Sequence, residues 1–545
     1  MNVKACLVLT GLLLITLFYP MPLNAFKSGS KEELCLSLQH RIPSAGEEGS
    51  FVLKQDIQYW EPAKTAIIIC DMWNQHWCRG ATERVAEMAP VMNEVIKNAR
   101  SQGVLIVHAP SDCMKAYLDH PARKLAQKYE SRSARRLISG DLLESEETAK
   151  WPIDQADGGC ACTPHCKQGS PWKKQIDVLE ISEGDAISDS GSEVAGLFWK
   201  KGITNVILMG VHTNMCVIGR SFGLRNMVRL GFNVALMRDL TDTMYNPESW
   251  PEVNHFTGTS LIIEHIEKYV CPSIISTDFT GKKQFRFVND HRPLVAFIAA
   301  EGEYRSDQCI PEFAHDLLLN EDMNCEFAMG KGIGKGPGRH NIENLQILED
   351  ADLAVIYVRR RALTSERMTL IRDFIQHGKP ILGIRTASHA FNAKGEVLYA
   401  ESGLPTAAES GDKPLSQWVE FDAEVLGGNY QGHYGHLQEG TTVTIVPGME
   451  KHPLLQDIPV EGFNSPSWLY KNRPLSSENV SVLLLGAIPG KASEPVLWTN
   501  QTGHNKVVYT SLGHWDDWKI EAFRNIMINS VKYLLDLRES ENQNP

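Results

Sequence analysis

The chain has 545 residues, 43% of them hydrophobic and 22% charged, which is ordinary folded-protein composition and excludes collagenous and low-complexity classes. It is too long for one hydrophobic core. Its 54 Lys and Arg stand against 66 Asp and Glu, a formal charge of −12, and no basic stripe exists to track phosphates, so nucleic acid is not an expected partner.

Lys4 precedes the apolar run Ala5–Phe18, then Tyr19-Pro-Met-Pro22 and the small-residue ending Leu23-Asn-Ala25. This order predicts a cleavable signal peptide over residues 1–25. The run falls short of the roughly 20 residues that span hydrocarbon, which weighs against a membrane anchor. The expectation is an exported protein, periplasmic or extracellular, with no membrane span after cleavage. Removing Cys6 from the twelve cysteines leaves an odd number and therefore at least one unpaired thiol. Residues 26–50, rich in Ser, Gly, Lys and Glu, read as a tether.

Short Ile/Val/Leu blocks at Thr65–Met72, Gly103–Pro110, Asn205–Val211 and Asn233–Leu240 read as strands buried on both faces of a parallel sheet. Between the first two, Val85–Arg100 has helical periodicity, with Pro90 as a kink or an early break. Residues 112–174 are polar and carry the insertion Asp157-Gly-Gly-Cys-Ala-Cys-Thr-Pro-His-Cys166. Cys160, Cys162, Cys166 and His165 are read first as a disulfide-stapled loop, with zinc ligands and free thiols as alternatives. The pattern lapses around residues 271–283, and the domains are set at 51–278 and 288–540. The second alternation has strands at Leu294–Ala300, Asn324–Met329, Leu353–Val358 and Pro380–Thr386 and a helix at Ser365–His377. Antiparallel-looking strands follow at Thr441–Val446, Val480–Leu485, Pro495–Thr499 and Lys506–Ser511, before a helix at Ile520–Leu535. The fold class is α/β, with two domains, each a mostly parallel sheet with helices on both faces.

Asp71 and Cys216 each follow an apolar strand, at the sheet edge where ligand crevices form. A helix is expected to start at Cys216, where its macrodipole favours thiolate and its free N–H groups can hold an oxyanion. The stretch Leu208-Met-Gly-Val-His-Thr-Asn-Met-Cys-Val217, with Ile67-Ile-Ile-Cys-Asp-Met72, resembles the isochorismatase-like cysteine hydrolase family, which includes nicotinamidases. That resemblance implies Cys216 as nucleophile, Asp71 as general base, and a cis peptide entering His212 that turns N–H groups near His212 and Cys216 toward an oxyanion. The family's catalytic Lys is replaced here by Asp189 or Ser190; Lys115, Lys173 and Lys174 are candidates to substitute for it. His76 and Cys78 are read as loop lining, with a metal site as the alternative.

In the second domain, Gly383-Ile-Arg-Thr-Ala-Ser-His-Ala-Phe391 has the strand–turn–helix shape of a nucleophile elbow, but Thr386, Ala387 and Ser388 stand there without a cysteine. With Gly432-His-Tyr-Gly-His436 and Val508-Tyr-Thr-Ser-Leu-Gly-His514, it resembles the trehalose-utilisation, ThuA-like family, which implies a flavodoxin/amidotransferase-like fold and a link to sugar metabolism. Arg385, His389, His433, His436 and His514 are candidates for one pocket. Glu301 and Glu303 are candidates for an acid that the family often has near Ser467-Trp-Leu-Tyr470.

The preferred reading is an exported cysteine hydrolase acting on a small amide-like or related molecule, fused to a carbohydrate-related domain. The alternative is a catalytically degenerate carbohydrate-binding or scaffolding protein. No cofactor is expected and no metal is assigned in either domain. Expected partners are a small-molecule substrate and a carbohydrate ligand, and a homo-oligomer is compatible with the sequence.

Overall fold

The computed structural model of the chain describes residues 33–46, 49–330, 339–398, 414–435 and 440–537. The signal-peptide reading falls outside these residues. Among the described residues, no helix is long and apolar enough to cross a membrane.

The first sheet is built from β1 (Leu34–Pro43), β2 (Phe51–Trp60), β3 (Thr65–Cys70), β4 (Leu105–Ala109), β5 (Ala186–Ile187), β6 (Asn205–Val211), β7 (Asn233–Asp242) and β8 (Ser273–Ile274), in the order β2-β1-β8-β7-β6-β3-β4-β5. From β8 to β5 every pairing is parallel, and the β1–β2 hairpin adds on antiparallel. Alternation along β3 shows why its sequence is apolar after Thr65. Ala66, Ile68 and Cys70 enter the core on one face, and Ile67 and Ile69 the core on the other. Each such isoleucine contributes about 1.5–3 kcal/mol of burial. The chain goes from β3 outward to β4 and β5, then returns to place β6 on the other side of β3, which makes the β3/β6 edge a topological switch point.

The helix Arg79–Gln102 runs unbroken through Pro90. The proline removes one backbone donor, while Val85, Met88, Met92, Val95 and Ile96 keep the helix on the sheet.

Residues 34–43, expected as part of a tether, instead form β1, paired along its full length with β2. Leu34, Leu36 and Leu38 alternate into the core, while Gln39 and Arg41 are buried against Glu264 and Glu267. Partners distant in sequence neutralise the polar positions, so hydrophobicity alone did not mark a strand.

The second sheet comprises β9 (Leu294–Ala300), β10 (Asn324–Met329), β11 (Leu353–Val358), β12 (Ile381–Ile384), β13 (Thr441–Ile445), β14 (Phe463–Ser465), β15 (Ser481–Ala487), β16 (Glu494–Thr502) and β17 (Asn505–Thr510), ordered β10-β9-β11-β12-β17-β16-β15-β13-β14. Its first five strands are parallel and the rest antiparallel. Cores lie on both faces here too. The carboxyl ends of β9, β11, β12 and β17 share one edge, which carries Glu301, Arg359, Arg385 and Ser511.

Candidate active site

Register brings the first site together. Cys70 is level with Ala109 on one neighbour and Gly210 on the other, so Asp71, Ser111 and His212 leave the sheet side by side. Asp71 is fully buried with φ 47°. Its Oδ1 accepts from the Ser111 N–H at 2.7 Å and its Oδ2 from Arg220 Nε at 3.2 Å. The Cys216 thiol is close enough to interact with this carboxylate. Burial raises the Asp71 carboxyl above its ordinary range, opposed by the Arg220 guanidinium and by the Cys216 and Ser111 hydrogen bonds. Burial also pushes the Cys216 thiol up to about 12, reinforced by Asp71 and opposed by Arg220.

The Val211–His212 peptide is cis. The His212 backbone N–H is close to the Cys216 sulfur, and the His212 carbonyl accepts from Met215 and Val217. Instead of beginning an α-helix, Cys216 lies in a π-helical turn, Thr213–Val217. The following helix is interrupted before Leu224–Arg229. The turn's wider pitch leaves Arg220, four residues on, beside Asp71.

Arg220 was not selected from sequence, although its i+4 spacing from Cys216 was visible. Of the lysines considered, Lys115 and Lys173 are exposed and Lys174 pairs with Asp177 at 2.7 Å. At the position where the family has its lysine, Asp189 accepts from the Asp112 N–H at 3.1 Å.

Next to this edge stands a wall of rings. Trp73 stacks on Trp172 with centroids 4.4 Å apart, and His76 lies 4.9 Å from His212. Burial pulls His76 down to about 4 and His212 well below the ordinary imidazole value, so both are neutral near pH 7. Nε2 of His212 is buried without a hydrogen-bond partner.

Cys160, Cys162 and Cys166, expected first as a disulfide staple, form no disulfide. Their sulfurs gather instead around Cys78 from the start of the helix Arg79–Gln102. Sequence separation hid this fourth member.

In the second domain, Arg385 opens the turn Arg385–His389 with φ 44° and is fully buried. Its guanidinium donates to Ser467 Oγ at 3.0 Å, the Ser511 carbonyl at 2.8 Å and the Tyr304 hydroxyl at 3.2 Å, and lies over the Tyr304 and Tyr470 rings. His389 stacks on Tyr430 at 4.5 Å, His433 lies 5.0 Å from Trp468, and His514 lies 3.7 Å from Trp515 and 5.8 Å from Tyr304. These three histidines and Arg385 meet through Tyr304, Tyr430 and Tyr470, rings that sequence reading passed over. His436 lies outside the described residues.

Burial raises the Glu301 carboxyl to about 7, while it accepts the Tyr304 N–H at 2.7 Å. Glu303 pairs with Arg359 at 2.8 Å. A further acid, Asp517, accepts from Ser465 Oγ, Ser467 Oγ and the Gly513 and His514 N–H groups, which links it to Arg385 through Ser467.

Comparison with family models matches residues 65–252 to the isochorismatase domain and residues 340–534 to ThuA, trehalose utilisation. Comparison with curated proteins finds no match. Among solved structures, a ThuA-like protein from Parabacteroides merdae is 12% identical at a TM-score of 0.32, over 46% of this chain and 92% of that one. A cysteine hydrolase from Pseudomonas syringae pv. phaseolicola is 16% identical at 0.24, over 38% and 87%. N-carbamoylsarcosine amidase from Thermoplasma acidophilum is 15% identical at 0.19, over 33% and 83%. The two family models, matched in this order along one chain, identify an isochorismatase-like hydrolase domain fused to a ThuA domain.

Proposed function

We propose that the first domain hydrolyses a small amide-like or related substrate through Cys216, with Asp71 as proton carrier and Arg220 in place of the family's lysine. The observation that carries this reading is the gathering of all three groups: Arg220 Nε donates to the Asp71 carboxylate at 3.2 Å, and the Cys216 thiol is close enough to interact with it. Because the thiol rests protonated, Asp71 takes its proton as sulfur attacks the carbonyl carbon. The N–H groups at His212 and Cys216 stabilise the resulting oxyanion. Asp71 then gives the proton to the departing amine, leaving a thioester. Water, deprotonated by Asp71, attacks that thioester, releases the acid and returns the proton to sulfur. Arg220 keeps Asp71 ionised between steps.

Alkylation by iodoacetamide across pH, together with an amide, ester and sugar-lactone screen, tests the nucleophile. Cys216→Ala is expected to abolish turnover. Unchanged turnover in that variant, with turnover of the unmodified protein surviving full alkylation of Cys216, overturns the assignment.

For the ThuA domain the reading is carbohydrate recognition without a nucleophile, supported by a buried Arg385, hydrogen-bonded to Ser467, Ser511 and Tyr304, at the head of the turn where an elbow nucleophile would stand. Calorimetry with oligosaccharides on His433→Ala and His514→Ala is expected to show weaker binding in each, and unchanged isotherms for both would remove the shared pocket. Export of the chain to the periplasm or beyond remains part of this proposal, supported by the residue order in 1–25.

A further inference from the structure

Among the described residues, one set of soft ligand atoms gathers as a metal ion requires. The ligand atoms of Cys78, Cys160, Cys162 and Cys166 all lie within 4.8 Å of one another. Cys78 Sγ is 3.4 Å from Cys160 Sγ and 3.7 Å from Cys162 Sγ. A tetrahedral zinc with bonds of about 2.3 Å spaces its sulfurs by about 3.8 Å. No carboxylate belongs to the set, and four thiolates select zinc over the hard cations calcium and magnesium.

The surroundings suit thiolates. The Arg79 N–H points at Cys166 Sγ (3.4 Å) and the Gly80 N–H at Cys162 Sγ (3.3 Å), two otherwise unpaired donors of a helix N-terminus whose dipole favours negative charge. The Arg84 guanidinium lies near Cys78 and Cys162 and is anchored to Asp242 at 2.8 Å. The Cys78 N–H donates to His76 Nδ1 at 3.2 Å, orienting that ligand's backbone. We propose that Cys78, Cys160, Cys162 and Cys166 bind one zinc ion in a closed, structural tetrathiolate site.

Such a site explains how a polar insertion holds one shape. Zinc clamps residues 160–166 to the helix start at Cys78. Gly159, at φ 72°, has no room for a Cβ, which would meet the Met244 carbonyl at 2.3 Å. Met215 and Met244 pack on the sulfur cluster, and Asn214 bonds both Gln155 and Met244. The clamp therefore buttresses the turn that carries Cys216 from behind, without sharing a ligand with it. The zinc assignment is independent of the hydrolase reading.

Elemental analysis of the full chain, purified without added metal and desalted, is expected to give about one zinc per chain, falling below about one fifth in Cys162→Ser and Cys166→Ser. His165→Ala should keep the full complement, because His165 is outside the set; its loss of zinc would overturn the four-cysteine assignment. Should the serine variants fail to fold, cobalt exchange into the unmodified protein is expected to give intense sulfur-to-cobalt charge transfer with the red d–d bands of a tetrahedral S4 site. Iron in place of zinc, weak octahedral cobalt bands, or disulfides among these four cysteines in mass spectra of the unreduced protein would each overturn the proposal.

Discussion

Arg220 shows what one side chain changes in a site otherwise legible from sequence. Asp71, His212 and Cys216 could be read because each follows an apolar strand, and parallel register places strand ends together. The cation was passed over because here it comes from the segment after Cys216, and its i+4 spacing alone does not show that it reaches Asp71. Its charge has a measurable consequence. In the proposed mechanism Asp71 works as a base only when ionised, and its pKa lies above the ordinary value because burial outweighs Arg220. The acid limb of the kcat/KM profile is therefore expected above the usual carboxylate range. Arg220→Ala should move that limb to higher pH and lower kcat/KM by about 10²-fold or more, with Arg220→Lys recovering part of both. An unshifted limb in the alanine variant would remove Arg220 from the mechanism.

Elements buried on both faces were the easiest to read. β6, β9 and β11 run over the residues their apolar blocks predict, because nothing polar interrupts their buried runs; β10 also matches, although Glu326 lies within it. The hairpin strand β1 was missed because its polar side chains are buried against residues more than 200 positions away. Two further elements depend on one residue each. Gly210, in β6, has φ 116°, and a Cβ there would lie 2.1 Å from the Cys70 carbonyl oxygen. Gly210→Ala should thus destabilise the first domain by more than about 2 kcal/mol in urea titrations and separate Asp71 from Cys216. Glu146 ties the polar segment 112–174 to two helices through Arg225 at 2.7 Å and His265 at 3.2 Å, and these hydrogen bonds hold its carboxyl near 2 against the burial that opposes them. A depressed folded pKa gives stability that is present above the unfolded value and lost as pH falls toward the folded one. The stability difference between wild type and Glu146→Gln, roughly 3 kcal/mol at pH 7, should shrink as pH falls from 4.5 to about 2. A difference that stays constant across that window would show that the carboxylate's charge plays no part.

The two sheets are joined by more than the segment between β8 and β9. Arg238 pairs with Glu326 at 3.2 Å, His315 with Glu264 at 2.9 Å, and Thr257 bonds Asp322 at 2.8 Å. The β1–β2 hairpin works on both sides of this junction. β1 extends the first sheet through Gln39 and Ser273, while Leu53 of β2 is part of the second domain's core with Phe297 and Phe327. Between them Gln55 uses its side-chain amide as a substitute peptide. It donates to the Phe327 carbonyl at 2.8 Å and accepts the Met329 N–H at 2.9 Å, satisfying the open edge of β10. Replacing Gln55 leaves the buried Met329 N–H unpaired, at about 1–3 kcal/mol, while the Phe327 carbonyl keeps its bond from Asn344 at 3.0 Å, and Leu53→Ala opens a cavity worth about 2–5 kcal/mol. Neither change touches Asp71, Cys216 or Arg385. If the hairpin couples the domains, wild type should unfold in one calorimetric transition and Leu53→Ala/Gln55→Ala in two, the ThuA domain melting first because the lost contacts lie in its core and on its edge strand. A single transition in the double variant, merely shifted to lower temperature, would mean that the Arg238–Glu326 and His315–Glu264 pairs suffice to couple the domains and that the hairpin only adds stability.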